Sequence, residues 1–112
     1  GYVQLVADNA CAHEFVLGTS TGEEWRGLDL AAYRPVARMP GRDDQSGLGA
    51  NVLGDPRIAL TWLANELSGL GVTLKAGEVV TTGTCLVPIA IAPGDAIEAD
   101  FGALGRVAVS FA

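Results

Sequence analysis

Ala96 to Phe111 reads AIEADFGALGRVAVSF. Ala96–Phe101 and Arg106–Phe111 alternate apolar and polar residues, the period of a half-buried strand. Gly102-Ala103-Leu104-Gly105 between them reads as a hairpin turn. Pro93-Gly94-Asp95 marks a turn before the pair. These signals place an antiparallel hairpin over 96–111.

Working back from there, Glu78–Cys85 is rich in Val and Thr and reads as β. Before it lies one helix, at about 56–68. Asp55 suits the N-cap and Pro56 the first helical position. Ile58, Ala59, Trp62, Leu63, Leu67 and Leu70 recur at helical spacing and make one apolar face. Gly69 and Gly71 supply the stop. Pro40–Gly49 (PGRDDQSGLG) is a hairpin tip or a mobile loop. A strand is expected around Tyr33–Ala37, with Pro35 demoting it to an edge or a bulge. Thr19–Glu24 is a loop, Phe15-Val16-Leu17 a short apolar run closed by Gly18, and Tyr2–Ala7 a strand. One helix among roughly six strands predicts an α+β, β-dominated fold with a mixed sheet, and argues against a doubly wound domain.

The 112 residues suffice for a single domain, 1–112. Hydrophobic residues make up 49% and charged residues only 18%, which favours a well-packed globule over disorder. The 15 glycines are spread without a period, as tight turns require. The net charge is −6, and the seven basic residues form no stripe. Nucleic acid and anionic membrane surfaces are therefore not expected partners. No apolar run is long enough to span a bilayer. Cys11 and Cys85 share no metal or redox spacing, so a reduced, cytoplasmic protein is expected. The start within a β-prone run, Tyr2–Val6, suggests a fragment or a processed chain.

Several chemistries are set aside. Gly47-Leu48-Gly49 precedes the helix, but Val52 stands where a dinucleotide fingerprint needs its third glycine, and Asp55 would oppose a phosphate. A turn or a close backbone approach is the preferred reading. No G-x-S-x-G is present. Cys11 and His13 have no group nearby to orient the imidazole, and a lone His is expected in a structural or surface role. Asp43-Asp44 is expected to be solvated, and Glu98 and Asp100 to share one side of a strand, facing solvent. Asp8-Asn9 either closes a strand or faces a cleft from its end. Thr81-Thr82-Gly83-Thr84-Cys85 either ends a strand or presents O–H and N–H donors to an oxyanion.

Four stretches taken together resemble the 2-keto-4-pentenoate hydratase family of the fumarylacetoacetate hydrolase superfamily. They are VADNACAHEFVLG (6–18), GLGANVLGDPRIALTWLANEL (47–67), LKAGEVVTTGTC (74–85) and PGDAIEADFGALGRVAVSF (93–111), in the family's order and spacing. The resemblance implies a β-dominated roll of the fumarylacetoacetate hydrolase type. It implies Mg²⁺ or Mn²⁺ held by carboxylates, acting as a Lewis acid on a small 2-oxo acid. It implies hydration of 2-hydroxypenta-2,4-dienoate to 4-hydroxy-2-oxopentanoate in aromatic catabolism, with 4-oxalocrotonate decarboxylation as the alternative, by a homo-oligomer. Asp8, Asn9, Gly83 and Thr84 are the positions that match the substrate pocket. The family's E-x-E carboxylates, further Glu and active-site Lys precede the ADN motif and have no counterpart here. The only lysine, Lys75, matches a loop position. Cys11 and Ala12 stand where the family often has hydroxyls. The chain is thus expected to be the C-terminal portion of a larger catalytic domain, binding no metal and without activity alone. A truncated structural or assembly module is the reading from another class.

Overall fold

The computed structural model describes residues 1–7, 13–22 and 24–112. The expected closing hairpin is its backbone. β3 (Ala96–Asp100) pairs antiparallel with β4 (Arg106–Ser110), with Ala99 opposite Val107 and Ile97 opposite Val109. Gly102–Leu104 forms a 3₁₀ turn between them. β1 (Val36–Arg38) joins the other side of β3, and β2 (Gln45–Ser46) pairs with β1. The four-stranded sheet has the order β2-β1-β3-β4.

Strand alternation sorts the side chains. Ala37, Ile97, Ala99, Val107 and Val109 share one face, and Arg38, Glu98, Asp100 and Arg106 the other. The apolar face of β4 is half-buried while Arg106, Ala108 and Ser110 are exposed. Ala37, Met39 and Val52 are the buried hydrophobic residues.

α2 (Pro56–Gly69) matches the expected helix to within a residue at its end. The Asp55 carboxylate accepts from the Arg57 N–H at 2.8 Å, and Pro56 takes the first turn. At the other end Gly71 sits at φ +74. Its N–H donates to the Ser68 carbonyl at 3.0 Å and the Val72 N–H to the Leu67 carbonyl at 2.8 Å, a Schellman stop. Of the six apolar residues at helical spacing, Ala59, Leu63 and Leu67 are half-buried, while Ile58, Trp62 and Leu70 stay exposed.

Three expectations are corrected, and one choice between two readings is decided. Tyr2–Ala7 is a short helix, α1, not a strand. Leu5-Val6 breaks the alternation a half-buried strand needs, and a segment with no strand beside it bonds its backbone internally instead. β1 is an interior strand: Pro35 lies just before it, where the missing N–H costs no ladder bond, and its carbonyl accepts from Gly47 at 2.7 Å. Of the two readings of Pro40–Gly49 the hairpin holds, with β2 inside the stretch and paired to β1. Glu78–Cys85 and Phe15–Leu17 join no ladder, so the described residues hold four strands where roughly six were expected from propensity.

Candidate functional site

Four loops converge beside Val52. Gly49 is the reason they can. A Cβ there would run into the Leu30 carbonyl oxygen, and one on Gly47 would lie 3.0 Å from the Cys85 carbonyl. With both side chains absent, the loops tie together by backbone bonds. Gly49 donates to the Tyr33 carbonyl at 2.8 Å, Ala50 to Ala31 at 2.8 Å and Leu48 to Cys85 at 2.9 Å. The Asn51 amide adds a second bond to the Cys85 carbonyl at 2.8 Å. The expectation of a close backbone approach at Gly47–Gly49 is met, and its glycines serve packing, not phosphate.

The convergence encloses a cavity of about 210 Å³ whose wall includes Tyr33, Val52, Thr82, Gly83, Cys85 and Phe101. The Tyr33 hydroxyl crosses to the Phe101 carbonyl at 2.7 Å, fixing the loop before β1 to the end of β3. Gly83 lies at φ +133, with Val52 Cγ1 3.1 Å from where its Cβ would be. That backbone conformation belongs to glycine. The wall is apolar on the Val52 and Phe101 side, and the polar residue Thr82 also lines it. Such a space suits a small molecule with a hydrocarbon end and a polar end.

The expected site residues separate. Gly83 is on the cavity wall. Thr84 is exposed and is not part of that wall. Asp8 and Asn9 lie outside the described residues, as does Cys11. His13 is on the surface, 3.7 Å from Glu14, in the role expected of a lone histidine. Tyr33, Val52 and Phe101 were not singled out from sequence. Tyr33 and Phe101 are 68 residues apart, and no local pattern announces their bond.

The charged face of the sheet is a structural network. Glu98 and Asp100 do share a side, but they face arginines as well as solvent. Arg38 Nη1 lies 2.9 Å from Asp100 and Nε 3.1 Å from Asp44; Arg106 Nη2 lies 3.2 Å from Asp100. The Arg38 guanidinium and then the Gly102 N–H hold the Asp100 carboxyl below its usual range, and Asp100 in turn raises Arg38. At the start of α2, the Arg57 guanidinium and its backbone N–H hold the Asp55 carboxyl low. That helix end already carries its anion.

The implied divalent metal can be tested against these donors. Among the described residues no three His, Cys, Asp or Glu side chains come together as a possible ligand set. Asp44, Glu98 and Asp100 are each within 4 Å of Arg38, so a guanidinium already sits among these carboxylates where a cation would have to lie. The described residues do not fit the metal.

Residues 2–112 match the family described as fumarylacetoacetate (FAA) hydrolase C-terminal. The chain is 39% identical over 110 residues to a 2-keto-4-pentenoate hydratase of Paraburkholderia xenovorans (strain LB400), covering 98% of this chain and 40% of that protein. It is 33% identical over 109 residues to a 4-oxalocrotonate decarboxylase of Pseudomonas putida, covering 97% and 41%. The solved 4-oxalocrotonate decarboxylase from Pseudomonas putida G7, complexed with magnesium and adipate, superposes with a TM-score of 0.83 at 32% identity, over 99% of this chain and 42% of that one. The chain thus spans about two-fifths of the length of the curated relatives it matches.

Proposed function

The chain belongs to the fumarylacetoacetate hydrolase family, and on that premise we propose that it is the C-terminal part of the catalytic domain of a hydratase for a small 2-hydroxy-dienoate. The observation that carries the proposal is the 39% identity to a 2-keto-4-pentenoate hydratase along 110 of its residues. The substrate class is 2-hydroxypenta-2,4-dienoate. The 2-hydroxyl gives up its proton as C5 gains one, and water then adds its oxygen to C4 and a proton to C3. The product is 4-hydroxy-2-oxopentanoate.

In this proposal the cavity beside Gly83 takes part of the substrate. Val52 and Phe101 offer apolar walls to the hydrocarbon end, and Thr82 a hydroxyl to a polar group. A side chain on Gly83 would press against Val52 on the same wall. The complete protein is proposed to require Mg²⁺ or Mn²⁺, held by residues other than those described, and to work in the cytoplasm as a homo-oligomer. Cys85 is a free thiol, in keeping with a reducing compartment. No helix among the described residues is long and apolar enough to cross a membrane.

The test is turnover by the full-length protein with Mg²⁺. The proposal expects the dienol absorbance of 2-hydroxypentadienoate to decay, and no CO₂ to be released from 4-oxalocrotonate. The reverse pattern would assign the decarboxylase reaction, the second reading, which the 0.83 TM-score to a decarboxylase supports. The 112-residue chain alone is expected to be inactive, and measurable hydration by it would refute the fragment reading.

A further inference from the structure

Val52-Leu53-Gly54 turns the chain into α2, and Leu53 pays a conformational cost there. It sits at φ +52, the one non-glycine residue with positive φ among those described, and its side chain is 70% exposed. Beside it, Ile58 is 54% and Trp62 61% exposed. These are not scattered. Trp62 lines both a 280 Å³ hollow, shared with Leu53, Leu63 and Val80, and a 600 Å³ groove, shared with Ile58. One apolar face therefore runs from Leu53 across the outer side of α2.

The size of the uncovered surface says what kind of body belongs on it. A compact monomer of this mass exposes about 5,800 Å². The chain exposes 8394 Å², which is roughly 2,600 Å² more. Its radius of gyration is 15.6 Å, where about 13 Å is expected for a compact chain of this length. A standard interface with a second copy covers about 800 Å² on each partner, and an obligate homodimer interface about 1,000–2,500 Å². The excess is about three times the first figure and slightly above the second. It is the scale of a core shared within one polypeptide, and the relatives carry about three-fifths of their length outside the matched part.

We infer that the face formed by Leu53, Ile58 and Trp62 docks against the remaining polypeptide of the full-length protein, within one subunit. This deepens the proposal that the chain is part of a larger domain, and rests on it. The occupant presents a largely apolar surface with a polar margin, because the exposed area of the groove is mostly carbon, Asp55, Thr61 and Asn65 line it beside Ile58 and Trp62, and Arg57 is held by Asp55 at 2.6 Å.

The test compares the full-length protein with the 112-residue chain. Cysteine is introduced as Ile58→Cys, Trp62→Cys or, as a control in the exposed β1–β2 connection, Asp43→Cys. Maleimide labelling is followed by mass spectrometry, and hydrogen exchange of the α2 amides in the unsubstituted proteins supplies a second readout. The expected result is labelling slowed at least about tenfold at positions 58 and 62 in the full-length protein, with position 43 unchanged, and slower α2 exchange. Equal labelling in both proteins would overturn the inference. So would protection that already arises in the 112-residue chain as its concentration is raised, which would assign the face to a second copy. Protection without turnover of either 2-oxo acid substrate would leave the docking intact and remove the hydratase reading. Turnover with an unprotected α2 would do the opposite.

Discussion

Arg38 on β1 and Asp100 on β3 are bonded at 2.9 Å, with Asp100 two residues along β3 from Glu98, the register partner of Arg38, so the ion pair runs diagonally between residues 62 apart in the chain. Asp100 also accepts from Gly102 at 2.9 Å and meets Arg106 at 3.2 Å. Its carboxyl is held below the ordinary value by Arg38 first. A carboxylate depressed by folding adds stability above its unfolded pKa and loses it as pH falls through the folded one. The 112-residue chain is therefore expected to lose melting temperature from about pH 4 downward. Asp100→Asn should melt lower than the parent at pH 7 and converge with it in acid. A gap independent of pH would show that Asp100 acts through shape alone. Molar salt should narrow the gap at pH 7, since these groups are partly exposed.

Gly49 is the packing position on which the cavity depends. Gly49→Ala is expected to cost about 3 kcal/mol or to prevent folding, because the backbone of Leu30 has no room to retreat. Gly27→Ala is the control. Nothing lies within 4 Å of a Cβ there, and the change should stay within about 0.5 kcal/mol. Urea denaturation of the two variants checks the pair, and equal costs would refute the close-approach account.

Chelation should separate the chain from its parent. EDTA is expected to abolish turnover by the full-length protein and Mg²⁺ to restore it. The same treatment should leave the melting temperature of the 112-residue chain unchanged, since the carboxylates among its described residues that cluster are bound to arginines. A Mg²⁺-dependent rise in that melting temperature would reveal a ligand set within the chain.

What could be read from sequence divides along a physical line. Asp55, Pro56 and Gly71 carry their signals within one turn of the helix they bound, so α2 was legible almost to the residue. The β3–β4 hairpin was legible because its alternation and its glycines are adjacent. β1–β3 pairing was not, because Val36 meets Asp100 through a contact that no local pattern encodes. Val-rich and Thr-rich Glu78–Cys85 misled in the other direction: β propensity describes a surface that fits a sheet, and among the described residues no strand pairs with this segment. The site shows the same division. Gly83 stands out from its run of hydroxyls, whereas Val52, the residue a Cβ on Gly83 would press on, reads as any apolar loop residue.

That contact gives the sharpest test of the site. Gly83 combines a glycine-only φ of +133 with a Cβ position 3.1 Å from Val52 Cγ1. The two constraints can be pulled apart. Gly83→Ala should destabilise the full-length protein by about 1–3 kcal/mol through its backbone, and should push into the cavity through its methyl. Val52→Ala makes space for the methyl but cannot relieve the φ. In the double variant the catalytic loss should therefore recover in part while the backbone cost remains. A double-mutant cycle on kcat/KM should show coupling of about 0.5–3 kcal/mol, and the cycle on unfolding free energy a smaller one. If Gly83→Ala lowers the melting temperature and leaves kcat/KM untouched, then Gly83 serves the backbone only, and the 210 Å³ cavity is not where substrate binds.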